Sequence, residues 1–332
     1  MQHKTEKRNI NSLHILKAIC AILVIDHHSY IFGQEYIAPF RVMMVPCFFM
    51  ITGFFLFQGN IQSEFHKVKR YCLKTICLLI AFGLFYDIPY ILFQSRDFSL
   101  RLHIENLLTG IPICFVMWYL ASLYQGLIIT HSICRISRKL LFIFPAIYII
   151  FRTSNTLYLH IPFHANTFES ALLDLANSTC FLSLGYLTAF YYEKISTNRL
   201  IYITGIVISY FYLFISTNDE ILRAYRSIAI ITMSASFFLL FLHSKNINCK
   251  YMVELGKKHS ANLYFFHVAS LILLTNFVEK YGLENIYALI IFIFTLFISY
   301  LVNFANHCWK RLLNKFYPSS PDSPTNRESA EP

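Results

Sequence analysis

The stretch LHILKAICAILVIDHHSYIF, residues 13–32, is almost wholly apolar, yet it carries Lys17, Asp26 and three histidines. As a helix rising 1.5 Å per residue it is about 30 Å long, the thickness of a bilayer's hydrocarbon core. Lys4, Lys7 and Arg8 precede it, as basic residues precede a secretory signal. The run is long enough to span, however, and no small-residue cleavage site follows, so a retained first helix is expected.

The rest of the chain repeats that pattern. Apolar stretches recur at 37–57, 72–94, 113–133, 139–152, 170–192, 199–217, 225–243, 259–278 and 285–308, which with 12–32 gives about ten spans. The fifth is the shortest, and it either tilts or extends into 153–167. Only 14% of the 332 residues are charged, 56% are hydrophobic, and mean hydropathy is +0.50. So few polar side chains cannot cover a water-facing surface, so the apolar excess faces lipid. The predicted fold is an all-α polytopic transmembrane bundle. Residues 1–11 form a cytoplasmic N-terminus, 12–316 one membrane domain, and 317–332, rich in Pro and Ser, a disordered cytoplasmic tail.

Charge sets the orientation. With the N-terminus inside, 19 of the 28 Lys and Arg residues fall in inward segments and flanks, and seven (Arg41, Arg96, Arg101, Arg152, Arg223, Arg226, Lys280) in outward ones. Lys17 and Lys74 lie within spans. This is the positive-inside pattern for an inner (cytoplasmic) membrane protein with both termini cytoplasmic. It also accounts for the net charge of +10 without a nucleic-acid partner; membrane lipid is the expected surrounding. The nine cysteines are scattered, with no Cys-x-x-Cys, and support neither a disulfide framework nor zinc. His160 and His164 have metal-like spacing, but Pro162 breaks the helix that would align them, and no metal is expected.

Ionisable groups at bilayer depth are costly and point to function. Lys17 and His28 are eleven residues apart, 20° beyond three helical turns, so they share one face about 16 Å apart. His14 lies near the same stripe. An imidazole moves protons near neutral pH, and a lysine at the inner surface suits a phosphate-bearing donor. The plainer reading has Lys17 snorkelling to the headgroups and the histidines facing water.

Four motifs tilt the balance. Lys17, ten residues, then His28 resembles the first-helix signature of the membrane acyltransferase 3 family. Pro46-Cys47-Phe48-Phe49-Met50-Ile51-Thr52-Gly53 resembles that family's Pro-x-Phe-Phe-x-x-Ser-Gly run, with Thr52 replacing Ser. Met117-Trp118-Tyr119-Leu120-Ala121-Ser122-Leu123 resembles its Trp-Tyr/Phe-Leu segment, and Tyr264 with His267 resembles its late Tyr-x-x-His helix. The order matches too.

The resemblance implies transfer of an acyl group, most often acetyl, from a cytoplasmic acyl-CoA (acetyl-CoA) to a hydroxyl of a cell-surface polysaccharide or lipid-linked glycan. His28 is then the catalytic candidate and Lys17 the family's cation. Lys67, Arg70 and Lys74 resemble its basic cytoplasmic cluster, as a Lys/Arg mixture where paired arginines are common; positive-inside topology explains them equally. Transfer is either direct or through an acyl-histidine. Asp26 sits about 200° round the helix from His28, so Asp87 or Asp174 is the better orienting group. Thr52 either aims a hydroxyl at substrate or joins Gly53 in close packing. Trp118 and Tyr119 wall a pocket or anchor at the interface. His267 joins the site or is structural, and Arg41, Arg223 and Arg226 hold an anionic acceptor or cap helices. The rival function is a glycan transporter or flippase with no acyl chemistry; paired broken-helix halves, its usual mark, are not evident.

Overall fold

A computed structural model of the chain describes residues 10–29, 36–94, 100–101, 104–105, 115–161, 167–216, 219–244, 247, 249–283 and 286–316. Lys4, Lys7, Arg8, His164, the 317–332 tail and the side chain of Asp87 lie outside what it describes. The described residues are helical, with turns and short connections and no strands.

Ten helices fall on the ten apolar stretches: α1 (Asn11–Ser29), α2 (Ala38–Leu56), α3 (Ile61–Gln94), α4 (Trp118–Ile136), α5 (Arg138–Leu159), α6 (Phe168–Phe190), α7 (Arg199–Ile215), α8 (Arg226–Leu242), α9 (Ser260–Tyr281) and α10 (Tyr287–Phe316). By length and composition α2, α5 and α10 are fit to cross a membrane; α7 and α8 are shorter apolar helices. Burial separates centre from edge. Two thirds (67%) of α2's apolar window is enclosed by protein, against 22% for α5 and 17% for α10. Exposed Ile208 on α7 and Phe304 on α10 belong to the apolar outer faces.

One boundary differs from the sequence reading, and one open choice is resolved. Of the two alternatives for the fifth stretch the helix takes the second, extending past Arg152 through a π-turn, Asn155–Leu159. Thr153 to Thr156 are polar, so hydropathy falls off, but the helix satisfies these groups locally. Thr156 donates to the Arg152 carbonyl (3.0 Å). The Asn155 side chain donates to the Ile161 carbonyl and accepts from its amide (3.0 and 2.9 Å). The chain leaves through His160 in the left-handed region (φ 49°). The third helix begins at Ile61, eleven residues before the apolar stretch, as a polar extension carrying Lys67, Lys69 and Arg70.

Between lipid-embedded helices no hydrophobic force operates, so van der Waals contact between close backbones holds them. The core of the bundle is such a contact. A Cβ added to Gly53 of α2 would sit 2.0 Å from the Leu182 carbonyl oxygen of α6, and one on Gly185 of α6 would sit 2.0 Å from that of Met50. Each glycine is the socket for the other helix's backbone. A Cβ added to Gly256, in a π-turn (Leu255–His259) leading into α9, would lie closer still to the His14 carbonyl of α1.

Gly53→Ala and Gly185→Ala therefore each force α2 and α6 apart, with an expected loss of about 1–3 kcal/mol. The thermal midpoint of the purified protein in detergent reads this, and midpoints equal to wild type would disprove the tight contact.

Candidate active site

α1 fixes the two ends of the site. Its last turn presents His28, half-buried, to a cavity of about 600 Å³ walled also by Arg41, Trp118, Tyr148, Asn177, Arg226 and His267. That volume lies within the range of small-ligand sites.

The centre of the wall is a pair of imidazoles. His267 of α9, fully buried, stacks on His28 with ring centroids 5.2 Å apart and planes 21° from parallel. His27 meets His28 edge-on at 4.7 Å. The His267 Nδ1 lies 2.6 Å from the Tyr264 carbonyl oxygen. A carbonyl only accepts, so Nδ1 carries the hydrogen, and in the neutral ring Nε2 keeps a free lone pair. That Nε2 is buried and has no hydrogen-bond partner among the described residues.

Beside the pair lies a buried ion pair. Arg41, at the bend in α2, donates from Nε to Asp26 Oδ2 at 2.7 Å, both side chains shielded from solvent. The carboxylate two residues before His28 thus faces an arginine on the neighbouring helix, as its position round α1 requires. Asp174 is buried on α6 one turn from Asn177 of the cavity wall.

The other end of α1 belongs to a basic cluster. The Lys17 ammonium lies 6.0 Å from the centroid of the Phe55 ring, and Lys67 donates to the Phe55 carbonyl. Burial holds the Lys67 ammonium below the usual lysine range; neighbouring Arg70 adds to this and Glu64 opposes it. Lys74 bears electrostatically on Lys17. Lys17, Lys67, Arg70 and Lys74, read as two separate features of the sequence, thus form one patch where α1, α2 and α3 meet. Lys17 does not line the His28 cavity.

The aromatic motif divides. Trp118 lines the cavity, whereas Tyr119 packs on Phe49 (4.9 Å) and Tyr264 (5.0 Å) and hydrogen-bonds Thr52. Thr52 donates to the Phe48 carbonyl (2.9 Å) and is not a cavity-lining residue. Sequence reasoning passed over Arg152, Tyr148 and Asn177, which also line the cavity. Each reads as an ordinary helix residue, and only the packing of α5 on α6 and of α6 on α2 turns it to the site. The described cysteines are free, and among the described residues no three His, Cys, Asp or Glu side chains are grouped to hold a metal.

Comparison with known proteins adds one match. A sequence model described as an acyltransferase domain matches residues 10–304, a span that contains every cavity-lining residue. No curated protein and no solved structure matches the chain.

Asp26→Asn leaves Arg41 buried without its counter-charge. A loss of about 3–5 kcal/mol is expected, seen as a fall in the thermal midpoint that the second change Arg41→Gln partly restores. An unaltered midpoint in the single variant would show that the pair does not hold α1 to α2.

Proposed function

Because the chain belongs to the acyltransferase 3 domain family and is a membrane acyltransferase, we propose that it is an O-acetyltransferase of the inner membrane. On this reading it moves acetyl from cytoplasmic acetyl-CoA to a hydroxyl of a cell-surface polysaccharide or its lipid-linked precursor. The ten helices cross the membrane with both termini in the cytoplasm, as the charge distribution favours. The observation that carries the proposal is the stacked His28–His267 pair in the wall of a cavity of about 600 Å³.

The chemistry runs as follows. Neutral His28 accepts the proton of the acceptor hydroxyl as that oxygen attacks the thioester carbonyl carbon. The C–S bond breaks, and the imidazolium returns the proton to the departing thiolate, leaving an ester and free coenzyme A. His267, its hydrogen fixed on Nδ1 by the Tyr264 carbonyl, lays a neutral π face against His28 and favours the cation formed in mid-reaction. The Lys17, Lys67, Arg70 and Lys74 patch meets the donor's phosphates by charge-assisted hydrogen bonds. Patch and imidazole are separated by about 16 Å along α1, a gap for the donor's extended thiol arm to cross. Trp118 and Arg41 bound the acceptor side. Thr52 and Tyr119 support the wall from behind, a role their mutual hydrogen bond favours over substrate contact.

The test is transfer of radiolabelled acetyl from acetyl-CoA to candidate glycans by purified protein in nanodiscs. His28→Ala should lower transfer by about 100-fold or more with folding intact; full activity in that variant would remove His28 from the mechanism. Coenzyme A never released by the wild-type protein, with any glycan, would favour a transporter. Lys17→Ala should raise the acetyl-CoA KM by roughly tenfold with little change in acceptor KM. Equal effects on both substrates would separate Lys17 from the donor.

A further inference from the structure

Two arginines of the His28 cavity also line a second, smaller one. Arg152 of α5 and Arg226 at the start of α8 border both, and Arg223 completes a recess of about 200 Å³ with Asn155, Thr156 and Ser227. No carboxylate lines either space among the described residues. The like charges of Arg152 and Arg223 both bear on Arg226. The Ser227 side chain is buried and its oxygen has no hydrogen-bond partner among the described residues.

Neither ordinary explanation covers the whole grouping. A cation at a helix C-terminus is stabilised by the helix dipole, which suits Arg152 and Arg223 in the last turns of their α-helical segments, but Arg226 stands in the first turn of α8, the end that favours anions. Topology does not ask for it either, since these arginines lie on the side that the charge count makes outward, where basic residues are scarce. Three guanidinium groups gathered at a recess with an unused hydroxyl form a receptor for one phosphate or carboxylate. The recess is below the size of a typical whole-ligand site. It suits a single anionic group on a molecule whose remainder fills the larger cavity.

We propose that the recess formed by Arg152, Arg223 and Arg226 binds a phosphate or carboxylate carried by the acceptor, so that the acceptor is an anionic saccharide and not a neutral one. The inference rests on reading the His28 cavity as the acceptor chamber. A lipid headgroup phosphate offers the same chemistry from another source, and the experiment separates the two.

Full-length protein in phosphatidylcholine nanodiscs is titrated with glucuronic acid, glucose 1-phosphate and glucose at constant ionic strength. The fluorescence of Trp118 reports on the cavity; Trp309, the second of two tryptophans, is exposed on α10. The two anionic sugars should bind at least about tenfold more tightly than glucose. Arg226→Gln and Arg223→Gln should each weaken them by about tenfold while leaving glucose unchanged, and Arg226→Lys should retain part of the affinity. Arg223 is exposed, so its variant keeps the fold, which the thermal midpoint verifies. Equal binding of all three sugars, or anionic binding unmoved by the variants, overturns the proposal. So does the lipid arm, if the variants lose only co-purifying phosphatidylglycerol and keep their sugar affinities. These titrations need no acyl donor. A protein that binds anionic sugars through the arginines but transfers no acetyl sinks the enzymatic reading alone, whereas unimpaired transfer with arginine-independent sugar binding sinks this one alone.

Discussion

Backbone-to-backbone contact between α2 and α6 is the constraint on which the rest of the bundle depends. In a hydrocarbon solvent apolar side chains gain little by meeting one another, so helices are held by how closely they approach. Gly53 and Gly185 give that approach reciprocally, each receiving a carbonyl from the partner helix. Everything in the cavity is referred to this pair. α2 delivers Arg41 to Asp26 at one end and Phe55 to the lysines at the other. α6 places Asn177 in the wall, and α5, packed against α6, brings in Tyr148 and Arg152.

On that scaffold charge is segregated by length, not by domain. The four basic residues around Phe55 and the imidazole pair occupy opposite ends of α1, with apolar residues such as Leu23 and Val24 buried between. Asp26, in the His28 end, is neutralised by Arg41 at 2.7 Å, so that end keeps arginines and imidazoles in excess of carboxylates. Under the proposed function, with a phosphate-rich donor at one end and the acceptor at the other, each end would present positive charge to its own partner.

Much of this was legible in the sequence. Among the described residues each apolar stretch of 14 to 24 residues coincides with a long helix, because a run of apolar residues leaves the backbone to satisfy its own hydrogen bonds. The placement of His28 and Lys17 on one face follows from helical geometry alone. Where composition left a choice, local satisfaction decided it. The chain stays helical from Thr153 to Thr156, where Thr156 bonds its own turn and Asn155 bonds the chain beyond it. The stacking of His267 on His28 was not derivable, since 239 residues separate them and only tertiary packing sets their distance. Thr52 beside Tyr119, and Arg152 with Arg226 in the wall of one cavity, are juxtapositions of the same kind.

The glycine of the turn before α9 has one more consequence. Gly256 touches the backbone of α1 at His14, and eleven residues later α9 touches α1 again, ring on ring, at His28. Two helices pinned together at two heights behave as a ladder with fixed rungs: neither slides along the other without breaking both joints. The interval between the lysine patch and the imidazoles is thereby a fixed gauge, which under the proposed function would sort thiol carriers by the reach of their arm.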